Sequence, residues 1–266
     1  METLLEAKNL SKVYFKTTGF FSRTRTSIKA LDNISVSIKK GITLAVVGES
    51  GSGKSTLAKS LIRLIEIDKG SITFKKRNMR TINGNELKKT RKNIQMIFQD
   101  PYASLNPRMK IIKIMEEPLQ VHAIGNSVTQ YSKILSMIKR VGLVEKDLSK
   151  YPHQFSGGQR QRIGIARALI LEPELVICDE PVSALDVSVQ AQIIQLLKSL
   201  QKEFGLTYLF ITHDLRIVRH IADEVIVMKD GKLIEQGKTD IIFRKPKTKY
   251  TKELLASIPG NLSKRK

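Results

Sequence analysis

Cysteine occurs once in the 266 residues, as Cys178. A lone thiol cannot close an internal disulfide, and a cysteine-only metal or iron–sulfur site needs several sulfur ligands, so both are excluded. Its expected place is the core, as a small apolar residue. Long hydrophobic runs are also missing. No stretch approaches the roughly 18 uninterrupted apolar residues of a membrane-crossing helix. The opening Met1-Glu2-Thr3-Leu4-Leu5-Glu6 lacks the basic and apolar blocks of a secretion signal, so a cytosolic location is expected. Acidic residues are scarce, 25 Asp and Glu against 46 Lys and Arg, giving a formal net charge of +21. That surplus admits a nucleic acid or an anionic membrane as partner. The basic residues are scattered, however, rather than gathered in one arm with interleaved aromatics, which favours a solvated surface over a single-strand binding site.

What is present is a globular composition, 41% hydrophobic and 27% charged. The length suits one large domain, or one domain with a small appendage, and leaves no room for two independent catalytic domains. Residues 1–16 and 28–47 hold short apolar runs, and Leu31 to Ile38 alternates with period two, so an antiparallel β-rich opening is expected. Thr17 to Ser27, around Phe20 and Phe21, has no clear period and reads as an exposed loop. Ile42 to Val47 is a near-continuous apolar run with β-branched residues, the mark of a strand buried on both faces. Leu175 to Cys178 and Thr207 to Ile211 repeat that pattern on either side of a helical stretch, Val187 to Phe204, so the core is read as an α/β parallel sheet. From Met109 to Tyr151 the apolar residues Ile134, Leu135, Ile138 and Val141 fall near 3.6 spacing, which predicts an inserted α-helical subdomain approached through Pro101 and Pro107. A short helical pattern over Tyr250 to Ser257 precedes a basic tail, Lys264-Arg265-Lys266.

The chemistry concentrates in three places. Gly48-Glu49-Ser50-Gly51-Ser52-Gly53-Lys54-Ser55 follows the first buried strand and precedes a helical run from Thr56 to Leu64. Glycines let such a loop curl so that its N–H groups and the helix N-terminus face phosphate oxygens; Lys54 adds charge and the Ser55 hydroxyl can ligate Mg²⁺. Asp179 and Glu180 end the second buried strand, where the first carboxylate can reach a metal shell and the second can polarise water. Standing alone, that pair reads more readily as a helix cap before Pro181. Phe155-Ser156-Gly157-Gly158-Gln159-Arg160-Gln161-Arg162 opens a helix through Leu171, and its Ser-Gly-Gly turn is a second phosphate-binding surface.

In this order, the phosphate loop, the Ser-Gly-Gly-Gln segment, the apolar-Asp-Glu strand and His213 resemble the ATP-binding cassette family. The resemblance implies an α/β fold: a P-loop NTPase core with a parallel sheet, an N-terminal antiparallel β subdomain and an inserted α-helical subdomain. It implies a cassette over 1–242, its helical subdomain at about 109–165, and a C-terminal extension of the peptide-transporter type over 243–266. Nucleotide binding then falls to Tyr14, which looks like the adenine-stacking aromatic, to the loop Gly48, Glu49, Ser50, Gly51, Ser52, Gly53, Lys54, Ser55 and Thr56, to the signature Ser156, Gly157, Gly158 and Gln159, and to Asp186. Glu180, His213 and Gln99 are the implied catalytic residues, with Ser55, Gln99 and Asp179 on Mg²⁺. Ser183-Ala184-Leu185-Asp186 resembles the loop that communicates across a cassette dimer. By themselves Gln99, Tyr14 and His213 are more often a surface amide, a packed aromatic and a structural histidine.

Gln99 to Arg108, with Ser104-Leu105-Asn106-Pro107, resembles the oligopeptide, dipeptide and nickel uptake branch, as does Tyr250-Thr251-Lys252-Glu253-Leu254-Leu255 with Pro259 beyond. Two departures are Thr248-Lys249, where the branch commonly has His-Pro, and the missing cysteines near the tail. The resemblance implies ATP and Mg²⁺ as cofactors. It implies a second ATPase subunit, identical or paralogous, two membrane permease subunits and, indirectly, an extracytoplasmic solute-binding protein, with no specific nucleic acid. The location implied is peripheral, on the cytoplasmic face of the inner membrane. Di- or oligopeptide is the implied cargo; nickel chelates, glutathione or polyamines are the alternatives, and a soluble cassette ATPase of ribosomes or nucleic acid is the rival from another class. The 109–151 region is expected to receive the pore's cytoplasmic helices.

Overall fold

The computed structural model describes residues 2–18, 24–100 and 102–258. Phe20, Phe21, Pro101, Pro259 and the tail Lys264-Arg265-Lys266 lie outside the described residues. In chain order the elements open with β1 (Thr3–Thr18), β2 (Thr24–Lys39), β3 (Thr43–Val47), α1 (Lys54–Leu61), β4 (Lys69–Phe74) and β5 (Arg77–Asn78). Next come α2 (Gly84–Asn93), β6 (Ile94–Ile97), α3 (Ile111–Val121), α4 (Ser127–Arg140), two short 3-10 turns, α5 (Gly157–Leu169), β7 (Leu175–Asp179) and α6 (Val187–Phe204). The chain closes with β8 (Thr207–Ile211), α7 (Leu215–Ile221), β9 (Glu224–Lys229), β10 (Lys232–Lys238), α8 (Thr239–Arg244) and α9 (Lys249–Ala256). Two compact units divide it: Met1–Ile82 with Leu209–Lys266, and Asn83–Tyr208.

In the first unit, β1 pairs antiparallel with β2 and with β4, making the expected β-rich opening. Ile34, Val36 and Ile38 are buried in alternation; Leu31 is buried too, but out of phase, because Asn33 turns into the left-handed region (φ 57). Its backbone amide is met by the Ser11 hydroxyl at 3.3 Å, so this bulge is held by a side chain. The loop expected over Thr17 to Ser27 is corrected at its two ends, 19–23 lying outside the described residues: β1 runs to Thr18 and β2 starts at Thr24, with Thr17 opposite Arg25 and Thr18 opposite Thr24. Backbone ladder pairing carries both strands into a stretch that lacks hydrophobic period. β3 is buried at every position and lies parallel to β9, while β10 returns antiparallel to β9, so this part of the sheet is mixed rather than purely parallel. Ala45, Val47, Val225 and Val227 share a core with Leu215, Val218, Ile242 and, from α9, Tyr250 and Leu255.

In the second unit β6 and β7 are parallel, with Ile97 opposite Cys178. Cys178 is fully buried, which pushes its thiol up and keeps it neutral. α6 shows why period predicts helix: Ile193, Ile194, Leu196, Leu197 and Leu200 form one buried stripe, Asp186 caps its start by accepting from the Val189 amide at 2.9 Å, and Gly205 ends it with φ 63. Between Met109 and Tyr151, α3 and α4 bury Ile111, Ile114, Met115, Leu119, Ile134, Met137 and Ile138, as the helical spacing predicts. β8 starts in this unit, where the Thr207 amide donates to Glu174 O, and ends in the first, where the Thr212 amide donates to Val46 O.

Candidate nucleotide site

The loop of residues 48–53 leaves β3 and delivers Lys54 as the first residue of α1, so the helix begins two residues before the expected Thr56 and stops at Leu61. Its shape is enforced by close approach. Gly48 has φ 153, and a Cβ there would sit 2.1 Å from Met228 O; Gly53 has φ 100, and a Cβ there would sit 2.2 Å from Ala30 O. Any side chain at either position collides with backbone. Lys54 is 4% exposed, and its ammonium donates to Gly48 O at 2.8 Å and Glu49 O at 2.7 Å. The first turn of α1 carries no acidic residue. A buried ammonium at a helix N-terminus whose first turn holds no acidic residue fits an anionic ligand such as a triphosphate.

Also in the first unit, Tyr14 stands 39% exposed on β1, with the Lys12 ammonium over its ring 5.7 Å from the centre. His213 follows β8, beside Asp214. Asp214 is clamped by Arg216 in a two-point ion pair, at 3.0 Å and 2.7 Å, which holds its carboxyl below the usual range.

In the second unit the register of β6 on β7 brings Gln99 and Glu180 together, each two residues beyond the Ile97–Cys178 pair. Gln99 Nε2 donates to Glu180 Oε2 at 3.3 Å. Asp179 is 4% exposed, and Glu180 adopts a left-handed backbone (φ 48) that a non-glycine residue takes only under constraint. Ser156 caps α5: its Oγ accepts from the Gln159 amide at 3.3 Å, and Gln159 Oε1 accepts from the Ser156 amide at 3.0 Å. Gly157 and Gly158 lie close to the 185–189 turn, where added Cβ atoms would come 3.3 Å from Leu185 Cδ2 and 2.5 Å from Val189 Cγ1. Asp186 is occupied as the α6 cap, accepting from the Val189 amide and the Ser188 hydroxyl; those bonds keep its carboxyl below the usual range.

Among the described residues, no cluster of three or more His, Cys, Asp or Glu side chains stands ready for a metal ion, and no helix is long and apolar enough to cross a membrane. Two site neighbours escaped the sequence reading. Arg160 stacks over the Tyr102 ring at 3.9 Å, a contact between residues 58 positions apart that no short stretch of sequence reveals, and the Tyr250 hydroxyl accepts from the Glu49 amide at 3.3 Å.

Residues 31–183 match the ABC transporter family. The chain belongs to that family. The cassette is 50% identical over 97% of its length to the oligopeptide transport ATP-binding protein AppF of Bacillus subtilis, covering 79% of that protein. It is likewise 50% identical, over 96% of its length and 78% of the relative, to the dipeptide transport ATP-binding protein DppF of Haemophilus influenzae. Among solved structures, the dimeric ATP-binding cassette MJ0796 bound to ADP and phosphate superimposes with a TM-score of 0.77 at 32% identity, over 88% of this chain and 98% of that one. This cassette is therefore the ATP-binding, ATP-hydrolysing subunit of an ABC transporter, and it works within a membrane-associated complex.

Proposed function

We propose that this subunit powers uptake of di- or oligopeptides, with the triphosphate held by residues 48–56, adenine stacked on Tyr14, and Glu180 as the base that takes a proton from the attacking water. His213 and Gln99 contact the reacting phosphate and the water, and Ser156 to Gln159, with Asp186, face nucleotide carried by a second cassette. The observation that carries the reading is the Gln99–Glu180 hydrogen bond beside buried Asp179 at the ends of two parallel strands, where α/β sheets place their ligands. Ser55, Gln99 and Asp179 offer the hydroxyl, amide and carboxylate oxygens that suit Mg²⁺, which when bound neutralises charge on the phosphates. Similarity to relatives named for oligopeptide and dipeptide transport supports peptide over nickel chelate, glutathione or polyamine.

The partners in this reading are a second ATPase subunit, two permease subunits and, outside the membrane, a solute-binding protein. The subunit sits peripherally on the cytoplasmic face, residues 1–242 forming the cassette and 243–266 the extension. The helices between 109 and 151 receive the permeases.

Replacing Glu180 by Gln in the assembled transporter tests the chemistry. The amide keeps the shape and the Gln99 contact but cannot take the proton, so ATP binding persists while turnover falls at least about 100-fold. Near-normal turnover removes Glu180 from the role. Deleting the subunit should abolish growth on peptides as the sole source of a required amino acid; unchanged growth would redirect the cargo.

A further inference from the structure

The C-terminal helix reaches back to the phosphate loop. α9 begins at Lys249 with Thr248 as its cap, and Tyr250 in its first turn is 9% exposed, packed with Val47, Val225 and Val227. The Lys229 ammonium lies 4.6 Å from the Tyr250 ring centre. Its hydroxyl oxygen accepts from the Glu49 amide, while the carbonyl of the same peptide group, Gly48 O, accepts from Lys54 Nζ at 2.8 Å. In a trans peptide the N–H and C=O point opposite ways, so two partners on opposite sides fix the plane. Gly48 has no Cβ and its peptide would otherwise turn more easily than that of any other residue. The hydrogen bond spans 201 positions, so it is a property of the fold, not of the local loop.

The same helix is anchored at its other surfaces. Buried Glu235 accepts from the amides of Lys247 and Thr248 at 2.9 Å and 3.1 Å and from the Thr248 hydroxyl at 3.2 Å, pinning the turn that leads into α9. At its far end Leu254, Ser257 and Ile258 line a cleft with His213, Asp214 and Arg216. One helix thus touches the phosphate loop and borders the His213 loop.

We propose that Tyr250 is a positioning residue for ATP binding: through its hydroxyl, α9 locks the Gly48–Glu49 peptide in the orientation that aims Lys54, so the C-terminal helix sets the subunit's nucleotide affinity. This rests on residues 48–56 being the triphosphate loop. When the lysine ammonium leaves its loop carbonyls for a phosphate, the peptide keeps the Tyr250 bond, and that bond holds it from flipping its carbonyl toward the anion.

The test uses the assembled transporter carrying Tyr250→Phe, which keeps the ring and removes the acceptor oxygen. The expected result is a rise of about fivefold in KM for ATP, and in the Kd of a fluorescent ATP analogue, with kcat within twofold of wild type. Hydrogen exchange at the Glu49 amide should speed up in the nucleotide-free protein. Glu235→Ala, which loosens the anchor and leaves Tyr250 intact, should raise KM in the same direction, while Lys252→Ala on the exposed side of α9 should not. Unchanged KM and unchanged Glu49 exchange in Tyr250→Phe overturn the proposal, even if the melting temperature falls, because the tyrosine would then serve packing alone. Lys54→Ala separates the two levels: if it abolishes analogue binding while Tyr250→Phe binds like wild type, the loop assignment stands and the tether fails. If Lys54→Ala binds normally, both fail.

Discussion

The loop at 48–55 is closed by backbone against backbone, whereas the turn at 155–159 is closed by side chains. Gly48 and Gly53 take positive φ, and a Cβ at either would strike a carbonyl oxygen at 2.1 Å or 2.2 Å. Gly157 and Gly158 take no positive φ, and what an added Cβ would meet is side chain: the movable end of Leu185 at 3.3 Å from Gly157, and the stiffer Val189 Cγ1 at 2.5 Å from Gly158. Two glycine-rich turns at helix N-termini therefore carry different mechanical characters. The first is rigid and tied into its own unit. The second rests on a reciprocal Ser156–Gln159 cap and on side-chain neighbours, of which Leu185 beside Gly157 can give by a few tenths of an ångström.

The sharpest way to break that comparison is a pair of alanines. Gly53→Ala combines a left-handed backbone with a carbonyl clash, so it should cost more than about 3 kcal/mol or prevent folding of the loop. Gly157→Ala needs only a small shift of Leu185 and should cost about 1 kcal/mol or less. Urea denaturation of both variants gives the two values, and equal costs would erase the distinction. Next in size is Glu235→Ala in the first unit. It strands the Lys247 and Thr248 donors in a buried site, for an expected loss of about 1–3 kcal/mol. Ser156→Ala in the second unit removes one cap acceptor at an exposed helix end, for about 1 kcal/mol. Its double-mutant cycle with Gln159→Ala should show coupling, since each side chain bonds the other's amide.

Glu235 also gives the first unit a pH signature. Burial pushes its carboxyl up, but the Lys247 amide, the Thr251 hydroxyl and the Thr248 amide and hydroxyl together outweigh that, and the group sits below its ordinary value. A depressed carboxyl adds stability that is present above the unfolded value of about 4.3 and fades as pH falls through the folded value. Wild type should therefore lose stability faster than Glu235→Gln below about pH 4. Parallel pH profiles for the two proteins would show that the anchor contributes nothing through ionisation.

The elements that period and composition made legible are those with a strong one-sided or two-sided burial: β3, β7 and β8, buried at every position, and α6 with its five-residue stripe. α2 was invisible for the opposite reason. Of Gly84 to Asn93 only Thr90 is buried, so no hydrophobic period exists to read. The β9–β10 hairpin had a signal of another kind, Asp230-Gly231 with both φ values positive, which is turn chemistry rather than period. At the site, the loop 48–55 is local and reads directly from the chain. The Gln99–Glu180 contact joins residues 81 positions apart; family resemblance implies a role for each residue but does not pair them. The Tyr250–Glu49 contact joins residues 201 apart, and neither residue type nor spacing hints at it. Long-range polar pairs depend on strand register and helix docking, which no short window contains.

The weakest contacts should separate the units least. Lys133 and Glu172 pair at 2.6 Å in the second unit with side chains 42% and 63% exposed, and Lys39 and Glu224 pair at 2.5 Å in the first with 40% and 18%. Water screens the first pair on both sides, so Lys133→Ala should change stability by about 0.5 kcal/mol or less. Lys39→Ala leaves Glu224 half-shielded next to the Thr43–Asp223 hydrogen bond at the start of β3, and should cost more, roughly 1 kcal/mol. Raising salt to about 1 M should remove most of the Lys133 effect, because the Debye length shrinks to about 3 Å, and less of the Lys39 effect. Identical salt responses would mean that both pairs are governed by solvent, and that burial at residue 224 confers no extra strength on its ion pair.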